Sequence, residues 1–130
     1  MIGKTIYTLL SGNTDLTTLV PLTSIFPYII NEDTPLPAII YTINTLAPTY
    51  DKDGWTGDDY TFSVTTYSQD YSKLQDIVSE VRSSFELKKG TTASIRYLKI
   101  YLEGQDEGFN VSENVFMNRL TFRVHINGYV

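Results

Sequence analysis

Between residues 57 and 85 the chain changes its hydrophobic period once, and no other feature limits its fold as much. From Tyr60 the side chains alternate: Tyr60, Phe62, Val64 and Thr66 fall on one face of an extended chain, and Thr61, Ser63, Thr65 and Tyr67 on the other. A period of two built from β-branched and aromatic residues predicts a half-buried strand. The period then lengthens, because Tyr71, Leu74, Ile77, Val78, Val81 and Phe85 recur every three or four residues and line one side of a helix. Ser68 or Asp70 can cap its first amides.

The remaining elements follow from the same rules. Residues 2–10 place Ile2, Ile6, Leu9 and Leu10 at helical spacing and stop at the turn-forming triplet Ser11, Gly12, Asn13. A short helix over residues 16–20 has Asp15 as its expected cap, and Pro21 ends it. Residues 24–30 are apolar and β-branched, but Pro27 removes a ladder donor and demotes them to an edge strand or an irregular extended segment. Residues 31–37 are loop chemistry, from which Pro35 and Pro37 lead the chain extended into a strand over residues 38–45. Residues 47–59 read as a long acidic loop, and Lys88, Lys89 and Gly90 close the helix. A strand over residues 91–103 opposes Ile95, Tyr97, Lys99 and Tyr101 to Arg96, Leu98, Ile100 and Leu102, and the second set is the better core face. Residues 104–114 read as a second acidic loop. The closing strand, residues 115–130, turns Phe116, Leu120, Phe122, Val124 and Ile126 inward and Met117, Arg119, Thr121, Arg123 and His125 outward. Together these predict an α+β fold: one domain, residues 1–130, with a mostly antiparallel β-sheet and helices packed on one face.

Composition narrows the chemistry. A chain of 130 residues, 42% hydrophobic and 19% charged, is long enough for a core and unlike a disordered segment. It has no apolar run of membrane-spanning length and no signal-peptide pattern at its start, so its expected place is the cytoplasm where it is made. With no cysteine, disulfides, thiolate metal sites and cysteine nucleophiles are excluded. The net charge of −5 disfavours nucleic-acid binding, which needs clustered Lys and Arg.

No catalytic, cofactor or metal site emerges. Asp51, Asp53, Asp58 and Asp59 are hard oxygen ligands close in sequence, but a calcium loop begun at Asp51 would need glycine where Thr56 stands and glutamate where Phe62 stands. They are expected to be a solvated turn. His125, the only histidine, has no nucleophile motif around any serine or threonine to serve, and there is no phosphate-binding glycine loop. Arg96, Lys99, Arg119 and Arg123 could share a basic, aromatic sheet surface for single strands. Pairing with the acidic loops of the same or a neighbouring subunit is the reading that the negative net charge favours. Trp55 and Phe109 are large apolar side chains inside polar, glycine-bearing loops, the kind of aromatic that marks protein interfaces; folding back over a sheet edge is the alternative. Tyr50, Trp55, Asp58, Asp59, Phe109, Val111, Arg119 and Arg123 form the candidate protein interface. With so little sequence to pack against between Gly54 and Gly57, Trp55 is expected to matter to assembly and barely to the melting of the free subunit.

The order of these elements resembles the tail completion, or tail terminator, proteins of long-tailed bacteriophages. The likeness covers essentially the whole chain, from MIGKTIYTLL through PLPAIIYTI, YTFSVTTYS and DYSKLQDIVSEVRSSF to the two closing strands, and the segments 35–41 and 60–85 carry most of it. It implies a virion structural protein, not an enzyme and without a cofactor. Such a subunit assembles with itself as a ring, usually a hexamer, at the head-tail junction. Its other partners would be the tail tube protein and the head-completion or stopper protein, with DNA passing through the lumen without specific binding and no membrane involved. The acidic segment 104–114 matches nothing expected of the family. A cytoplasmic α+β module that binds a protein or ligand without catalysis would share this composition, and a carboxylate-dependent metal enzyme is a third reading.

Overall fold

The computed structural model of the chain describes residues 2–30 and 33–130. Two helices open it, α1 (Ile2–Ser11) and α2 (Thr14–Leu19), and a 3-10 turn over Leu22–Ser24 leads into β1 (Ile25–Pro27). Then come β2 (Ala38–Asp51), β3 (Gly54–Ser68), α3 (Tyr71–Phe85), the short β4 (Gly90–Thr92) and β5 (Ile95–Tyr97), and the long β6 (Tyr101–Asn110) and β7 (Val115–Tyr129). The seven strands form one sheet in the order β1-β2-β3-β7-β5-β4, and β6 pairs with β7. β1 runs parallel to β2, and the other pairings are antiparallel. This is the α+β arrangement that the pattern predicts.

The helices cover one face because alternation leaves that face apolar. Tyr60, Phe62 and Val64 of β3 and Leu120, Phe122, Val124 and Ile126 of β7 are buried on the side where α3 lays down Leu74, Ile77, Val81 and Phe85. Phe62, Phe85 and Phe122 meet with ring centroids 5.1–5.4 Å apart, a cluster in which each pair adds about 0.5–1.5 kcal/mol beyond the area it buries. Asp70 caps α3, accepting from the amides of Ser72 and Lys73. As Pro27 requires, β1 is a three-residue edge strand. Residues 31 and 32 of the expected loop lie outside the described residues, and residues 33–37 carry the chain to β2 through a cis Leu36–Pro37 peptide.

Three expectations change. The segments expected to be acidic loops are mostly strand: β2 runs on to Asp51 and β3 begins at Gly54, while β6 occupies residues 101–110 and turns into β7. Residues 91–103 are not one strand. A non-strand link over residues 98–100 separates β5 from β6, and within it Ile100 exchanges backbone hydrogen bonds with Leu87 and Lys88. The break reverses the expected faces in β5: Ile95 and Tyr97 are buried, Arg96 and Leu98 exposed, and Ile100 is buried again beyond it. Finally, Asn13 rather than Asp15 caps α2. Its side-chain oxygen accepts from the amides of Asp15 and Leu16, while its Nδ2 donates to the Glu80 carbonyl and to Ser84 Oγ on α3, a second role that a carboxylate cannot fill.

Candidate assembly interface

Two long hairpins carry the candidate residues, and the register of β7 puts their turns at opposite ends of the sheet. Asp58 of β3 lies beside Ile126, so the β2–β3 turn projects at the C-terminal end of β7. Asn110 pairs with Val115, so the β6–β7 turn projects at its N-terminal end.

In the β2–β3 hairpin, Asp53 donates its amide to Asp51 Oδ1 at 2.7 Å and the chain reverses into Gly54 at φ +123°. Trp55 stands just past this turn, opposite Tyr50. Its Nε1–H donates to Asp58 Oδ1 at 3.0 Å, and its ring lies 5.9 Å from that of Tyr129. The Tyr129 hydroxyl donates to the other oxygen of Asp58. Asp58, 8% exposed, thus has both oxygens engaged and serves inside the fold; it offers no surface carboxylate. Burial, reinforced by the Asp58 hydrogen bond, pushes the Tyr129 phenol far above its ordinary range. Trp55 still leaves 43% of its surface to solvent, and Tyr50 leaves 69%.

Asp59, the next residue, points through the opposite face of the sheet. There Nδ1 of His125, its partner across the ladder, meets Asp59 Oδ1 at 2.6 Å. Gly57, at φ +150°, packs against the other side of the imidazole and has no side chain to act as a nucleophile. The four aspartates therefore separate: Asp51 and Asp53 in the turn, Asp58 inside, Asp59 on His125. Among the described residues no group of three or more His, Cys, Asp or Glu side chains is placed to hold a metal ion.

In the β6–β7 hairpin, Phe109 packs on Phe116 with centroids 4.6 Å apart, and Phe116 meets Tyr71 at the start of α3 at 5.2 Å. Phe109 remains 46% exposed and Val111, at the turn, 82%. Arg119 and Arg123 stand on the sheet face away from the helices. Arg119 binds Asp106 at 2.7 Å, and Arg123 lies over the Tyr101 ring at 5.7 Å and 4.0 Å from Glu103. The acidic strand β6 thus pairs with these two cations within the chain, where sequence order alone left open which subunit would do so. Both candidate aromatics are partly covered within the subunit, Trp55 by Asp58 and Tyr129 and Phe109 by Phe116, and keep nearly half of their surface exposed.

Sequence reasoning did not find the role of Tyr129. Only the closeness of the last strand to the β2–β3 turn reveals it, and no local pattern encodes that closeness.

Among the described residues no helix is long and apolar enough to cross a membrane. The fold is similar to a solved chain described as "Virion of native gene transfer agent (GTA) particle": TM-score 0.74 at 16% identity, over 95% of this chain and 92% of that one. No curated protein sequence matches. The sequence model of the family described as tail completion protein gp17 matches residues 4–126. The chain therefore belongs to the tail completion protein gp17 family, structural proteins of the bacteriophage virion tail.

Proposed function

We propose that the protein closes the end of the phage tail tube as a ring, six subunits in the expected case, and joins the tube to the head-completion complex while DNA passes through its lumen. The observation that carries this reading is the pair of hairpins on a family member: each presents an aromatic, Trp55 or Phe109, that its own subunit covers only in part. Half-covered aromatics in well-packed surroundings are the side chains from which protein interfaces draw most of their energy. A subunit that associates through two different surfaces closes a ring when the rotation between copies is complete, and a closed ring stops growth as a cap must.

On this reading no reaction is catalysed. His125 is an inter-strand partner of Asp59, with Gly57 against its ring. The partners are other copies of the chain, the tail tube protein and the head-completion or stopper protein. The test is imaging of the purified protein alone and bound to assembled tail tubes. The expected result is a ring at the tube end, whether or not the free protein is monomeric. A protein that sits on finished tails as a monomer defeats the ring reading, and catalytic turnover lost on His125→Ala with assembly intact defeats the structural one.

A further inference from the structure

On the helix-free side of the sheet, beside β5, lies an open cleft of about 670 Å³. Arg96, Leu98, Lys99, Tyr101 and Arg123 line it, with Lys89 at its rim. Four of the ten Lys and Arg side chains of an acidic protein are gathered here. Asp59 also faces the cleft but is held by His125, and Arg123 has only Glu103 at 4.0 Å; Arg96 reaches Asn127, a neutral amide. Among the described residues, Lys89, Arg96 and Lys99 have no carboxylate partner. Leu98 and Tyr101 are each about half exposed, 48% and 47%, so the cations frame an apolar floor.

The β2–β3 turn has the complementary character: Asp51 and Asp53 beside the exposed Tyr50, with only Lys52 to offset them. Position makes the match usable. The turn and the cleft lie at the same end of the sheet, since Asp58 pairs with Ile126 and Ile95 with Tyr129, but toward opposite edges, β2 on one side and β5-β4 on the other. Copies related by rotation can therefore set the β2 edge of one against the β5-β4 edge of the next. We propose that the acidic β2–β3 turn of each subunit seats in the basic cleft of its neighbour, making the lateral contact of the ring and leaving the β6–β7 hairpin free for the tube or the stopper. The contact is heterologous, different patches on the two partners, which is the type that propagates around a ring. This inference rests on the ring reading above.

Charge reversal tests it in the full-length protein. Asp53→Lys puts a cation on the turn, and Arg96→Glu with Lys99→Glu puts anions in the cleft. Each variant alone should cap tail tubes at least about tenfold less well than wild type at equal subunit concentration, because like charges then face each other at every contact. Mixed one to one, the two should recover capping, since an even-membered ring can alternate them so that every turn meets a cleft of opposite sign. Circular dichroism melting checks that each variant folds. Should a reversal unfold the subunit, Asp53→Asn and Lys99→Gln replace it, and their losses should be less than additive if the two side chains meet. Rings that form normally from either reversed variant overturn the docking and leave the ring intact. Failure of the mixture to recover also overturns it, and wild-type tails that carry no ring overturn both readings together.

Discussion

At the scale of single residues, Asp58 decides what Trp55 is for. A carboxylate inside the fold needs donors for its oxygens, and here the indole supplies one and the Tyr129 phenol the other. The sequence between Gly54 and Gly57 predicts little for Trp55 to pack against and almost no change in the melting of the free subunit when it is removed. The structure replaces that premise, because Trp55→Ala withdraws a donor from a buried acid and ring packing from Tyr129. We expect the variant to lose about 1–3 kcal/mol of subunit stability, the cost of an unsatisfied buried group, and in addition about 2 kcal/mol or more of assembly free energy through the exposed part of the ring. Trp55→Phe separates the two: it keeps ring area and loses the donor. Thermal unfolding of the isolated subunit, paired with its incorporation into tails, reads both quantities. A Trp55→Ala subunit that melts lower yet assembles normally once folded would make the tryptophan a purely internal strut.

At the scale of elements, the two hairpins show what a hydrophobic pattern can and cannot carry. α3 was legible because one side of it is buried and the other wet, and so were residues 60–66 and β7, whose alternation is imposed by the helices above them. β6 and the outer half of β2 are exposed almost throughout, so neither face selects apolar residues and period two never appears; the acidic, glycine-bearing stretches then read as loop. The reversed faces of β5 have a different cause. The alternation loses phase in the link between β5 and β6, where Leu98 and Lys99 are both exposed before Ile100 turns inward, and nothing in the composition of residues 91–103 marks where that slip falls. The candidate site was legible as residues but not as an arrangement: Trp55, Phe109 and the cations were identified, while Tyr129, the cleft beside β5 and the burial of Asp58 depend on which strands meet. Gly57 is where such a meeting constrains the sequence. Its φ of +150° disfavours any side chain, and a Cβ there would collide with the His125 ring and the Ile126 carbonyl. Gly57→Ala is expected to lower the stability of the subunit by more than about 1 kcal/mol, seen as a lower urea midpoint with an unchanged slope. An unshifted midpoint would mean that β3 and β7 part there at no cost.

At the scale of the whole molecule, charge is distributed in a way that bears on the proposed passage of DNA. Fifteen acidic side chains stand against ten basic ones, for a net charge of −5. The outer face of β7 carries Arg119 and Arg123, but β6 sets Asp106 and Glu103 beside them. The other concentration of cations is a local cluster beside β5, around the half-exposed Leu98 and Tyr101. Duplex binding draws its affinity from many phosphates neutralised along a continuous basic track, each releasing counterions. A short cluster within an acidic surface supplies few such contacts, and the surrounding carboxylates repel the rest of the polyanion. The proposed lumen would be served by this weakness, since a tight phosphate grip would hold the genome in place. The free subunit is therefore expected to show no measurable affinity for duplex DNA at physiological salt in a fluorescence anisotropy titration. Arg96→Glu with Lys99→Glu should leave that result unchanged while impairing capping, because the cleft is assigned to a neighbouring chain. Binding tighter than about micromolar, falling steeply as salt is raised and abolished by the same two substitutions, would instead make the cleft a nucleic-acid contact and reassign its cations from the ring to the DNA within it.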